Sequence, residues 1–212
     1  MKERPILFSA PMVRALLDGS KTQTRRLVKN LNRAYSDTVF VRESDPTVEG
    51  GWWPYLSDDG ESIVCSDGNE RPMVCPYGKP GDRLWVRETF AKIDGQTRPW
   101  IETDYRATYT HGDRLGDLIG VKKRWTPAIH MPRWASRIDL EVTGVRVERL
   151  QDISEEDAKA EGTPGGHGSI PGYGYNATPS EQYQSLWEEI NGAGSWAANP
   201  WVWVVEFGRV RP

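Results

Sequence analysis

Cysteine is scarce in this chain. There are two, Cys65 and Cys75, ten residues apart in a turn-rich stretch. That is too few for a secreted disulfide scaffold, so no structural disulfide is expected. Histidine is scarcer still for a metal centre: His111, His130 and His167 lie far apart, none near a cysteine and none at metal-ligand spacing. No metal and no cofactor are expected. There is no Walker loop and no dinucleotide fingerprint, and Gly165-Gly166-His167-Gly168 precedes no helix at the right distance, which makes it a surface loop. No apolar run approaches the roughly 20 residues of a membrane helix. Met1-Lys2-Glu3-Arg4-Pro5 has no apolar signal-peptide core, so the expectation is a cytoplasmic protein without membrane association. Positive charge is also short. Lys and Arg number 27 against 30 Asp and Glu, a net charge of -3 that excludes a bulk electrostatic nucleic-acid binder and leaves room only for a local basic stripe.

Against a hydrophobic content of 37% and a mean hydropathy of -0.64 stand ten Trp and eight Tyr. Large rings bury more area than aliphatic side chains, so a folded domain with an aromatic-rich core and long polar loops is expected. At 212 residues, 1–212 is read as a single domain.

Ile6-Leu7-Phe8 reads as a strand, and Pro11 opens a helix whose Met12, Val13, Leu16 and Leu17 recur at helical spacing until Gly19 stops it. Residues 21–28 suggest a second strand. Residues 30–80 form an excursion rich in turn chemistry, with a hairpin expected between 62–65 and 72–75. A strand over 83–90 follows, with polar residues on both faces as in a cavity wall. A second excursion spans 94–127. Two strands, 136–142 and 145–150, are separated by Thr143-Gly144. Ser154 caps a helix that starts with acidic residues and ends at Gly162. Residues 164–179 read as a mobile loop, and Ser180 as the cap of a helix striped by Tyr183, Leu186, Trp187 and Ile190. Residues 201–207 read as a central strand. Five or six strands without a βαβ rhythm predict an α+β fold: a small mixed barrel with short flanking helices and loop insertions at 30–80, 94–127 and 164–179.

Chemistry concentrates in Gly19-Ser20-Lys21-Thr22-Gln23-Thr24-Arg25-Arg26. A threonine hydroxyl is a poor nucleophile unless a base takes its proton. Lysine can act as that base only when burial or nearby cations pull its pKa down. Arg25 and Arg26 supply such cations beside Lys21. From composition alone the plainer reading, an exposed turn and strand edge, is the favoured one.

The stretch from Arg4 to Arg26 resembles the opening motif of ASCH domains, relatives of the PUA-like RNA-binding barrels. The matching pieces are the strand ending in Phe8, the helix ending at Gly19, and Lys21, Thr22, Thr24 and Arg26 as Gly-x-Lys-Thr-x-Thr-x-Arg. Gly81-Asp82-x-Leu84-x-Val86 resembles the family's second signature, and residues 203–207 its last strand. The matches cover about half the chain, and the excursions resemble those of the longer ASCH proteins met in phage and prophage genomes. The resemblance implies a PUA-like β-barrel. It also implies a metal-independent amidohydrolase acting on N4-acetylcytidine or related N4-acylated cytosine compounds, with Lys, Thr and Glu as the catalytic set. Lys21 and Thr24 match the first two, and Glu161, near the end of the helix after the middle strands, is the best positional match for the third; Glu155 and Glu156 fit less well.

In that reading neutral Lys21 takes the proton of Thr24, Thr24 attacks the acyl carbonyl, and Glu161 protonates the leaving nitrogen. A variant in which Thr24 only positions water stays open. Arg26, Glu88, Arg133 and Trp134 are the expected substrate-binding residues: Trp134 beside Arg133 for stacking on a pyrimidine, Glu88 for the cytosine amino group or for Lys21. Core packing for Trp134 and a structural ion pair for Glu88 are the competing readings. The expected partner is a modified nucleoside or base, with RNA as a further candidate and no obligate protein partner evident. An RNA-binding module without hydrolysis, or a ribonuclease using Lys21 and the arginines on phosphate, are the alternatives.

Overall fold

Alternation around Ile6 makes Glu3–Leu7 the first strand, β1. Ala10–Asp18 follows as α1, with Ser9 at the N-cap, Pro11 in the first turn and Val13, Ala15 and Leu16 buried. Gly19, at φ 86°, closes it in the left-handed conformation that side chains disfavour. The structure, a computed structural model, describes residues 1–29, 38–42, 51–56, 73–93, 102–112, 114–118, 120 and 124–210. The remaining elements in chain order are Gln23–Leu27 (β2), Thr38–Arg42 (β3), Gly51–Leu56 (β4), Met73–Val74 (β5), Arg83–Arg87 (β6), Phe90–Ile93 (β7), Glu102–Tyr105 (β8), Leu115–Leu118 (α2), Asp139–Arg149 (β9), Glu155–Ala160 (α3), Gly166–His167 (β10), Asn176–Ala177 (β11), Pro179–Asn191 (α4) and Trp201–Val210 (β12).

The architecture is mixed α+β, with few helices around a five-stranded sheet in the order β1-β6-β9-β12-β2. β1 runs parallel to β6, and every other pair is antiparallel. The expected barrel closure is not present as a backbone ladder among the described residues: β1 and β2 are the two ends of the order. A side chain spans them instead, since Arg26 Nη2 donates to the Leu7 carbonyl at 2.9 Å. β12 is the expected central strand and is buried on both faces, which is why it reads as a continuous apolar run. Trp203, Val205 and Phe207 join Ile6, Phe8, Val13, Leu16, Leu84, Val86, Leu140 and Val142 in one core. Val202 and Val204 face a second core of Leu150, Ile153, Ala158, Tyr183 and Trp187, under α3 and α4.

Several local expectations are corrected. The strand over 83–90 ends at Arg87, because Phe90 exchanges backbone hydrogen bonds with Thr126 (2.7 and 3.1 Å) and starts β7. The two strands around Thr143-Gly144 are one, β9. The break is a bulge, where the register against β12 slips between Glu206 and Phe207. Met73 pairs with Trp52 of β4, and the other half of the expected 62–65/72–75 hairpin, Cys65 included, lies outside the described residues. Cys75 is a buried free thiol that burial pushes up to about 11.

The cap of α4 is Thr178, not Ser180. Pro179 fits the first helical turn and Glu181 completes a capping box. Tyr183 and Trp187 of its stripe are buried, Leu186 is half-buried and Ile190 is exposed. The 164–179 segment carries a short ladder: β10 pairs with β11, Gly165 N–H donates to Gln182 Oε1 at 2.8 Å, and Ile170 and Ala177 are buried. In the second excursion Ala107 enters the main core and its carbonyl accepts from Arg14 of α1 at 3.1 Å.

Candidate active site around Lys21 and Glu161

Lys21 lies in the turn between α1 and β2, and three backbone bonds fix that turn. Lys21 N–H donates to Ala15 O (3.0 Å), Thr22 N–H to Ala160 O (2.8 Å), and Phe207 N–H to Thr22 O (2.8 Å). The second of these ties the turn directly to the last residue of α3, so Glu161, its C-cap, arrives beside Lys21. Ser154 caps the other end, its hydroxyl accepting from Asp157 N–H at 3.0 Å. After Glu161 the chain turns away through Gly162 at φ +90°, where a Cβ would stand 3.1 Å from that of Ala15. Glycine is needed there on both counts.

Strand alternation then sorts β2. Thr24 and Arg26 lie opposite Val205 and Trp203 of β12, on the Phe8 face; Gln23 and Arg25 lie opposite Glu206 and Val204, on the face under α3 and α4. Lys21 sits at the boundary. Its Nζ donates to the Glu161 carbonyl and to Glu161 Oε2, both at 2.8 Å, and lies 5.6 Å from the centre of the Phe8 ring. The side chain is fully covered. Burial pushes the Lys21 ammonium below the ordinary lysine value; the charge and hydrogen bond of Glu161 pull the other way, and Arg26 and Arg25 push it down further.

Thr24 is 0% exposed, and its Oγ1 has no hydrogen-bond partner among the described residues. A buried hydroxyl left unpaired costs about 1–3 kcal/mol, which makes it a feature to explain. Among the described residues two of the three Lys21 N–H donors are taken, and the unpaired Thr24 hydroxyl comes from the same short stretch of chain.

Arg25 organises the helix-side face. Its Nη1 donates to Glu161 Oε1 (3.3 Å), Nη2 to Asp157 Oδ2 (2.9 Å), and Nε (3.1 Å) and Nη2 both to Glu148 Oε1. Arg146 doubles the clamp through Glu148 Oε2 (2.9 Å), Asp157 (3.1 and 3.2 Å) and Glu206, while Gln23 Nε2 donates to Asp157 Oδ1 at 3.1 Å. Burial works against the Arg25 charge, but Glu161 and Glu148 more than offset it and its pKa is raised. Tyr183, whose ring lies 6.0 Å from the Arg25 guanidinium, is pushed well up by burial and by Glu161. Sequence reasoning missed Glu148, Asp157 and Arg146 as partners of this site. The signal was the alternation Val145-Arg146-Val147-Glu148, which places two opposite charges on one face of a strand.

The expected binding residues divide. Arg26 lies 5.4 Å over Phe8, on the same ring as Lys21, and spends donors on the Arg25 and Leu7 carbonyls. Glu88 is buried, and both its oxygens are taken by Arg137 (2.9 and 3.0 Å), whose guanidinium stacks 4.0 Å from the Tyr105 ring. That is the ion-pair reading, with no bond to Lys21. Arg133 pairs with Glu3 and Asp139 (3.1 Å each), and Trp134 is 47% exposed under Lys92, 5.2 Å away. The 3-10 turn Arg133–Ala135 is held against the end of β6, where Ser136 Oγ donates to the Val86 carbonyl at 2.8 Å and Glu88 N–H donates to Met131 Sδ at 3.5 Å.

No family model, curated protein or solved structure matches the chain. No helix of the described residues is long and apolar enough to cross a membrane.

Proposed function

We propose that the chain is a metal-independent amidohydrolase that removes the acyl group from N4-acetylcytidine or a related N4-acylated cytosine compound, on an ASCH-type, PUA-like sheet. The observation that carries the reading is the covered Lys21 Nζ, held by Glu161 at 2.8 Å and lowered in pKa by burial, three residues before Thr24 with its buried and unpaired hydroxyl. A structural ion pair gives no account of a buried hydroxyl left unpaired in the same strand-and-turn segment, and a displaced lysine pKa in a buried cluster is what general-base work needs.

In this mechanism neutral Lys21 accepts the Thr24 proton as Oγ1 bonds to the acyl carbon. The tetrahedral intermediate collapses by breaking the C–N4 bond, and the cytosine nitrogen takes a proton. Glu161 supplies it as a relay: its Oε2, 2.8 Å from Lys21 Nζ, receives the proton from the Lys21 ammonium and passes it on. Water then cleaves the Thr24 ester, releasing the carboxylic acid and restoring the hydroxyl. Lys21 and Thr24 are both covered, so the substrate reaches them when the surrounding side chains part.

The ribonuclease reading loses ground, because Lys21 and Arg25 are withdrawn from solvent and spent on carboxylates rather than held out to phosphate. Incubation with N4-acetylcytidine, following cytidine release, is the direct test. Release that requires Lys21 supports the proposal; no release from the nucleoside, the free base or acetylated RNA ends it. Binding to unmodified RNA is expected to be weak and to fade with salt. Sub-micromolar binding at physiological salt would instead favour an RNA-binding module.

A further inference from the structure

We infer that Arg25, which stands outside the Lys/Thr/Glu set, is a positioning residue for Lys21: it holds the second oxygen of Glu161 and offsets the negative charge that Glu161 turns on the lysine. The inference rests on the hydrolase reading. Its basis is geometric. Glu161 offers Oε2 to Lys21 at 2.8 Å and Oε1 to Arg25 at 3.3 Å, so one carboxylate is pinned from both sides. The Arg25 side chain is fully covered, and its remaining donors reach Glu148 on β9 and Asp157 on α3. A planar fork can clamp three carboxylates from two elements at fixed angles; an ammonium cannot.

The electrostatic consequence follows from who faces whom. Lys21 faces Glu161, Arg25, Arg26 and the Phe8 ring. Arg25 faces Glu161, Glu148, Asp157 and the Tyr183 ring, with Arg146 and Glu206 behind them. A bare Glu161 carboxylate would hold Lys21 as an ammonium and disable it as a base. A guanidinium on the other oxygen cancels much of that field while leaving the hydrogen bond intact. Burying a cation here is costly, and a purely structural cluster could be replaced as a whole by apolar side chains at little loss.

The test is a titration of Lys21 in the full chain, by NMR of lysine labelled at Cε, with the Lys21 signal identified by its absence from Lys21→Met. Turnover against pH is measured beside it. Arg25→Gln should raise the Lys21 midpoint by about one pH unit or more, and move the rising limb of the activity profile by the same amount. Arg25→Lys, which keeps the charge, should reverse most of that shift while leaving turnover reduced. An Arg25→Gln protein that melts lower but keeps its Lys21 midpoint would show Arg25 to be structural only and overturn the inference. If Arg25→Gln does not fold, Glu148→Gln takes a counter-charge from Arg25, and the Lys21 midpoint should fall; an unmoved midpoint overturns the inference equally. Should N4-acetylcytidine not be hydrolysed at all, a raised midpoint in Arg25→Gln still supports the coupling, and only the hydrolase reading falls.

Discussion

Lys21 Nζ stands 2.8 Å from both the backbone carbonyl and the carboxylate of Glu161, a residue 140 positions further along the chain. The contact joins the end of α1 to the end of α3 and sets a base beside a carboxylate under full cover. It also changes what a Lys21 substitution means. Lys21 reads in sequence as a turn residue whose loss spares the fold, yet it is 2% exposed.

Lys21→Ala is therefore expected to cost stability as well as activity, about 3–5 kcal/mol for breaking a buried pair. Lys21→Met conserves volume, leaves Glu161 on Arg25, and separates the two effects: turnover on N4-acetylcytidine lost, the melting temperature less affected. Lys21→Arg should be nearly as inactive, because guanidinium stays protonated. Normal turnover in folded Lys21→Met would remove Lys21 from the mechanism.

Glu161 is set apart from its neighbours by burial. Glu155 and Glu156 are exposed in the first turn of α3, whereas Glu161 is 3% exposed at its end. Glu161→Gln is expected to lower turnover by about 10²–10⁴-fold with a smaller effect on KM, and the loss should shrink for an activated ester. Glu155→Gln and Glu156→Gln should cost about 0.3–1 kcal/mol through the helix terminus and leave turnover alone. Kinetics and melting curves on all three decide it. A normal Glu161→Gln enzyme would move the proton relay elsewhere.

What was legible in the sequence was local. Pro11 and Gly19 bound α1, Ser154 caps α3, and the continuous apolar run that opens residues 201–207 marks a strand buried on both faces. These rest on interactions within a few residues. Lys21 and Glu161 could be named, but only as motif positions. The bond between them depends on Thr22 docking on Ala160, which no short-range pattern encodes. The same limit hid the partners of Arg25: alternation gives the face that a side chain takes, not which carboxylates meet it there. Arg133 shows the same limit: its partners Glu3 and Asp139 come from two different strands, which the local pair Arg133-Trp134 does not announce.

Away from the site, Asp82 anchors the N-terminal strand, accepting from Lys2 N–H at 2.8 Å and Arg4 Nη1 at 2.7 Å. Those bonds hold its carboxyl at about 2, below the ordinary value of 3.8. A depressed carboxylate contributes stability that is complete above its unfolded pKa and lost as pH falls through the folded one. Asp82→Asn should therefore melt lower than the parent at neutral pH, with the gap closing between about pH 4 and pH 2. A gap that stays constant into acid would show that shape, not charge, is what Asp82 supplies.

Thr24 offers the sharpest separation of stability from function. Its Oγ1 is buried without a partner among the described residues, and Thr24 stands opposite Val205 in the sheet. Thr24→Val keeps the β-branched shape and removes the unpaired hydroxyl, so the fold should gain, by up to about 1–3 kcal/mol if the orphan is relieved in full. Turnover should vanish in the same protein, because the attacking oxygen is gone. Thr24→Ser keeps the hydroxyl, and should retain activity while losing some stability through the missing methyl. A hydroxyl that serves only packing predicts the reverse for Thr24→Val, unchanged turnover with unchanged or lower stability. A more stable and inactive Thr24→Val is the outcome expected of a group held at a cost to the fold for its chemistry.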